Sequence, residues 1–95
     1  YLGIPYSNDM QRVDKASGKR VVPLVRDEKV EELLTDEQQS GIVAKYTAEA
    51  VGFIKANKDK PFFLYLPFAV PHVAVQVPED SLAEYTGKLG DDPAY

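Results

Sequence analysis

One histidine and no cysteine bound the chemistry open to this 95-residue chain. Without a thiol there is no disulfide, no thiolate nucleophile and no Cys-based zinc site, so any chemistry falls to oxygen and imidazole groups. The histidine, His72, stands in Phe68-Ala69-Val70-Pro71-His72-Val73, just after the aromatic run Phe62-Phe63-Leu64-Tyr65-Leu66. In open α/β sheets ligands bind beyond the carboxyl ends of the strands, and a titratable group there faces the site. The plainer alternative is a loop histidine bonded to a backbone carbonyl. Ser7-Asn8-Asp9 is a second polar cluster, whose hydroxyl and amide donate hydrogen bonds without charge and suit an anionic or hydroxylated ligand. The same residue types also build Asx and Ser turns. The adjacent acidic pairs Asp27-Glu28, Glu31-Glu32, Asp36-Glu37 and Asp91-Asp92 read as solvated faces, not as metal or acid/base carboxylates. No phosphate-cradling glycine loop, nucleophile elbow or His-x-x-x-His pair occurs.

The elements that must position these residues are unevenly distributed. Gly3, Pro5, Ser7-Asn8-Asp9 and Ser17-Gly18 leave residues 1–20 without an apolar period, which predicts an N-terminal loop. Val21-Val22-Pro23-Leu24-Val25 and Lys29-Val30-Glu31-Glu32-Leu33 flank a charged tetrapeptide and predict a short hairpin, with Pro23 restricting its first arm to a sheet edge. Thr35 with Gln38 fits a capping box and Ser40 is a second N-cap candidate, so a helix starts between 36 and 41. Val43, Tyr46, Ala50, Phe53 and Ile54 form its apolar stripe, and Asn57-Lys58-Asp59-Lys60-Pro61 ends it near Ala56 or Asn57. Residues 62–66 lack polar alternation and are too short for a helix, which predicts a strand buried on both faces. One further helical turn is expected over residues 79–85, followed by surface connection through Gly87, Gly90 and Pro93.

Composition narrows the partners. Eleven basic against fifteen acidic residues give a net charge of −4, with no basic stripe for a phosphate backbone, so no nucleic-acid partner is expected. The longest nearly apolar run, residues 62–70, is interrupted by Pro67 and falls well short of the ~20 residues of a membrane span. No secretion signal is visible at Tyr1-Leu2-Gly3-Ile4-Pro5. A doubly buried strand needs strand neighbours and helical layers that one helix and one hairpin do not supply. The expectation is therefore a piece of a larger α/β domain, incomplete at both ends.

Three stretches together resemble the arylsulfatases. Tyr1-Leu2-Gly3-Ile4-Pro5-Tyr6-Ser7-Asn8-Asp9-Met10 is similar to their Gly-Ile-Pro-Tyr-Ser segment. Tyr46-Thr47-Ala48-Glu49-Ala50 with Phe53-Ile54 resembles a helix of that family, and Lys60-Pro61-Phe62-Phe63-Leu64-Tyr65-Leu66-Pro67 leading to Pro71-His72-Val73 resembles its strand and histidine loop. The resemblance implies an alkaline-phosphatase-like α/β sheet of which residues 1–95 are an internal part, and a parent that hydrolyses sulfate esters of small molecules or carbohydrates. It implies that His72 bonds the sulfate group and that Ser7 touches the substrate. In the family a Cys/Ser-x-Pro-x-Arg motif yields formylglycine beside a calcium ion, so both groups are implied for the parent. No serine here is followed by that Pro and Arg, and no Asp-Asn pair for calcium occurs, so the nucleophile and metal ligands are expected outside the chain, which alone would be inactive. Sulfatases of this kind are commonly exported. Two other readings stand beside this one: a phosphate-ester hydrolase of the same superfamily, and a non-enzymatic module that adds the 62–68 strand to a partner's sheet. In isolation the chain is expected to cover that strand by oligomeric contacts.

Overall fold

The computed structural model describes residues 1–72 and 76–88. Val73 and Ala74, Gly90, the Asp91-Asp92 pair and Pro93 lie outside the described residues.

The expected hairpin forms, as strands β3 (Arg20–Arg26) and β4 (Lys29–Leu34) joined by Asp27-Glu28. Asp27 takes a left-handed φ of 54°, a conformation that Asp tolerates better than most residues. The register passes from Leu24↔Glu32 to Val25↔Val30, leaving Glu31 as the extra residue of a bulge. On the other side of β3, two short strands pair antiparallel: β1 (Leu2–Gly3) with Val25 and Arg26, and β2 (Arg12–Val13) with Arg20 and Val21. The N-terminal segment is thus not wholly loop, because backbone pairing to β3 supplies order that apolar periodicity does not. Nor does Pro23 confine β3 to an edge. β3 is the central strand, and Pro23 falls in the gap between the β1 and β2 ladders, where that side of the strand carries no pairing.

Thr35 opens helix α1 (Asp36–Gln39) with both bonds of the capping box. The helical region then breaks. Ser40 is not a second N-cap; it closes α1, and its hydroxyl donates to the Glu37 carbonyl at 2.6 Å. Helix α2 (Ile42–Asn57) follows after Gly41 and ends where the sequence predicts. Leu24 and Leu34 from the hairpin meet Ile42 and Tyr46 of α2 in one small core, with Leu2, Ile4 and Val43 packed on its rim. Arg26 joins the bulge residue Glu31 at 2.5 Å to Glu49 of α2 at 2.7 Å, and Lys45 reaches Glu32 at 2.5 Å. These pairs are well exposed, so they orient the helix on the hairpin more than they stabilise it.

The sheet covers only the first half of the α2 stripe. Phe53 and Ile54 remain about 40% exposed. The run 62–66 is not a buried strand: the whole stretch 61–69 has no ladder partner among the described residues, and Phe63 and Tyr65 are 85% and 77% exposed. Burial on both faces needs neighbours on both edges, and here Phe62 meets Phe53 edge to face at 5.5 Å while only Leu64 of the run is half-buried. Helix α3 (Glu79–Ala83) supplies the expected helical turn.

Candidate functional site

The N-terminal segment is fixed at two points before it reaches Ser7. The Asp27 N–H donates to the Tyr1 carbonyl at 2.8 Å while the Tyr1 amine sits 2.9 Å from the Asp27 carboxylate, which holds that carboxyl below its usual range. Further along, the Ile4 N–H donates to the buried Tyr46 hydroxyl at 3.1 Å. Burial pushes the Tyr46 phenol above its ordinary pKa. A turn follows, closed by the Met10 N–H on the Ser7 carbonyl at 3.0 Å.

From the other end of the chain, the 61–69 segment runs past α2 to a second turn, in which the His72 N–H donates to the Ala69 carbonyl at 3.0 Å. The Val70–Pro71 peptide within it is cis. The two turns converge. Ser7 Oγ and His72 Nε2 lie 3.5 Å apart across 65 positions of sequence, at the outer limit of a hydrogen bond. Ser7 is half-buried and His72 exposed. Hydrogen bonding from the Ser7 side chain, with a smaller contribution from the His72 charge, holds the Asp9 carboxyl below its ordinary value.

Both residues stand on a cavity of about 750 Å³ between the N-terminal segment (Ile4), the α2 stripe (Tyr46, Phe53) and the extended segment (Leu64, Phe68). Most of its lining is apolar; Ser7, Asn8 and His72 supply one set of polar groups, and Arg26, Asp27 and Glu49 supply charged ones. His72 lines this concavity from a turn after extended chain that has no ladder partner among the described residues, and not from the end of a paired strand. A polar relay braces the site: Asn8 Nδ2 donates to Gln76 Oε1 at 3.1 Å, Gln76 Nε2 donates to Asp36 at 3.1 Å, and Gln11 also donates to Asp36. Nothing in the sequence around Gln76 signals that role; only the fold brings it to Asn8. The acidic pairs Asp27-Glu28 and Asp36-Glu37 are exposed, as expected, while Glu31 and Glu32 are engaged by Arg26 and Lys45.

The arrangement can offer two donors to an oxyanion, one from the hydroxyl and one from imidazole Nε2–H.

A protein named "Arylsulfatase" from Hemicentrotus pulcherrimus is 38% identical to this chain over 56 residues, 58% of the chain and 10% of that protein. Part of the chain is arylsulfatase-like. It spans about a tenth of the length of the arylsulfatase it matches. No family model matches the chain, and no solved structure matches it.

Calcium and formylglycine, implied by the sulfatase resemblance, find no fit in these residues. Among the described residues no three His, Cys, Asp or Glu side chains converge as metal ligands, and no serine carries the Pro and Arg of the nucleophile motif.

Proposed function

We propose that this chain is an internal part of a sulfatase catalytic domain, in which Ser7 and His72 contribute to the wall that receives the sulfate group. The observation that carries the reading is the meeting of a hydroxyl and an imidazole from opposite ends of the chain, 3.5 Å apart on one cavity. The likeness to an arylsulfatase over 58% of the chain supports the same reaction class. A sulfate ester is a monoanion whose leaving oxygen gains charge as the S–O bond breaks. Donors held in place in a mostly apolar trough stabilise that charge more than water does, since they need no reorganisation. On this reading Ser7 donates through its hydroxyl and His72 through Nε2–H, while nucleophile and metal come from polypeptide beyond these residues.

The uncovered face of the chain supports the incomplete-domain part of the reading. An extended, uncharged run with Phe63 and Tyr65 in water is unstable company for itself. Further strands pairing with 61–69 would cover it and complete the trough.

The test is His72→Ala in the full-length parent, followed by aryl sulfate hydrolysis. Loss of one oxyanion donor lowers kcat by roughly 100-fold or more. An unchanged kcat/KM removes His72 from the mechanism. The residues that precede Tyr1 in the parent separate the neighbouring chemistry: a Cys/Ser-x-Pro-x-Arg motif supports sulfate esters, and an unmodified Thr or Ser with added His and Asp metal ligands supports phosphate esters.

A further inference from the structure

Resting on the reading of Ser7 and His72 as sulfate donors, we infer that Asp36 and Gln76 are positioning residues, a polar clamp that holds the two turns carrying those donors in register. The clamp has one central acceptor. Asp36 Oδ1 receives the Gln76 Nε2–H at 3.1 Å and also an amide N–H of Gln11, while Gln76 Oε1 receives the Asn8 Nδ2–H at 3.1 Å. Asn8 follows Ser7 within the turn that the Met10 N–H closes, Gln11 comes directly after that turn, and Gln76 stands four positions beyond His72. A carboxylate can only accept, so Asp36 makes both glutamines present their amide nitrogens, which leaves Gln76 with its carbonyl oxygen toward Asn8. The direction of every bond in the clamp follows from that one side chain.

The anchor belongs to neither turn. Asp36 is the first residue of α1, whose start is held by the Thr35–Gln38 capping box, and Gln38 Nε2 donates to Glu32 of β4 at 3.1 Å. The charged groups on the cavity lie in other pairs, Arg26 with Glu31 and Glu49, and Asp27 with the terminal amine of Tyr1. Those pairs fix α2 and the first residue to the hairpin, whereas the bonds at Asp36 reach the loops of both donors. Asp36 is exposed and the three amides are half-buried, so each bond competes with water and the clamp acts through number and direction more than strength. Precision is what it supplies. Ser7 Oγ and His72 Nε2 approach to 3.5 Å from 65 positions apart, and a misplacement of about 1 Å at such a donor pair can cost about 100-fold in rate. Supporting hydrogen bonds that lock loop-borne donors before substrate arrives remove that loss.

The experiment is a carboxylate swap in the full-length parent, read as kcat and kcat/KM for an aryl sulfate. Gln76→Glu sets a second carboxylate against Asp36 and is expected to lower kcat about tenfold or more. Adding Asp36→Asn places an amide N–H against the new carboxylate, which accepts on both sides and still receives Asn8, so the double variant is expected to return to near the wild-type rate. In a His72→Ala background, itself slowed, Gln76→Glu is expected to cost no more than about twofold further, because the donor it positions is gone. A wild-type rate in Gln76→Glu, failure of Asp36→Asn to restore it, or a full further loss in the His72→Ala background overturns the clamp and leaves the sulfate-donor reading in place. An unchanged kcat/KM in His72→Ala alone removes that reading, and the clamp with it.

Discussion

Tyr46→Phe tests whether the core and the candidate site share one anchor. The Tyr46 ring is 8% exposed and packs with Leu24, Leu34 and Ile42, while its hydroxyl accepts the Ile4 N–H at 3.1 Å, three residues before Ser7. Phenylalanine keeps the ring and removes the acceptor. The loss is one part-buried hydrogen bond together with a backbone N–H left short of a partner, about 1–2 kcal/mol. For a domain of this size that lowers Tm by roughly 4–8 °C for each kcal/mol. A second signature distinguishes the hydroxyl from generic packing damage. Burial raises the folded-state phenol pKa above the ordinary 10.0, so below pH 10 the group is protonated in folded and unfolded chains alike and its contribution is fully present. As pH climbs past 10 the unfolded chain gives up the proton first, and stability falls until the folded pKa is reached. Tyr46→Phe removes that component of the alkaline decline. Urea midpoints at pH 8 and pH 10.5 for both chains measure it: the gap between wild type and variant narrows at the higher pH. The reasoning is refuted if the variant melts with the wild type at pH 8, or if the gap between them is the same at both pH values.

Three further outcomes follow from the same packing. Leu24→Ala, at a fully buried position in the centre of the hairpin, costs roughly 2–5 kcal/mol and shows as loss of cooperative unfolding by circular dichroism. Gln39 is 3% exposed, and neither its Nε2 nor its Oε1 has a hydrogen-bond partner among the described residues, so Gln39→Met raises stability by about 1–3 kcal/mol, read as an upward shift in the urea midpoint. Asp14, Asp27 and Glu49 have carboxyl groups held below their ordinary values, chiefly by hydrogen bonds from Ser17, the chain's terminal amine and Arg26 respectively. Depressed folded-state values mean stability that is present above about pH 4 and is lost as pH falls through them, and Glu49→Gln flattens that acid limb in a pH series of thermal melts.

Elements specified by local chemistry were legible in the residues. The Thr35–Gln38 capping box, the α2 stripe and the charged turn between two β-rich arms each depend on neighbours a few positions apart, and each occurs in the structure. The pairings of β1 and β2 with β3 were not legible, because two-residue strands carry no periodicity and owe their existence to the edge they meet. The break at Ser40-Gly41 was hidden for a related reason: two overlapping N-terminal signals were visible, and the choice between one helix and two depends on how α1 packs beside β4.

The run at 62–66 exposes the difference between what a segment requires and what its chain provides. Its composition demands cover on both faces, yet among the described residues it has no ladder partner, and Phe63 and Tyr65 stand in water. A self-sufficient module would spend its apolar run in its own core, whereas here the core is built from the hairpin and the first half of α2, and the greasiest residues line an open trough. Phe63→Lys and Tyr65→Lys act on this point directly. Both side chains lie outside the core, so lysine leaves the fold intact and removes the driving force for self-pairing. Sedimentation of wild type and the double variant is expected to show association in the former and monomer in the latter at the same concentration. A wild-type chain that stays monomeric at millimolar concentration would mean that this face needs no partner, and the incomplete-domain reading would lose its structural support.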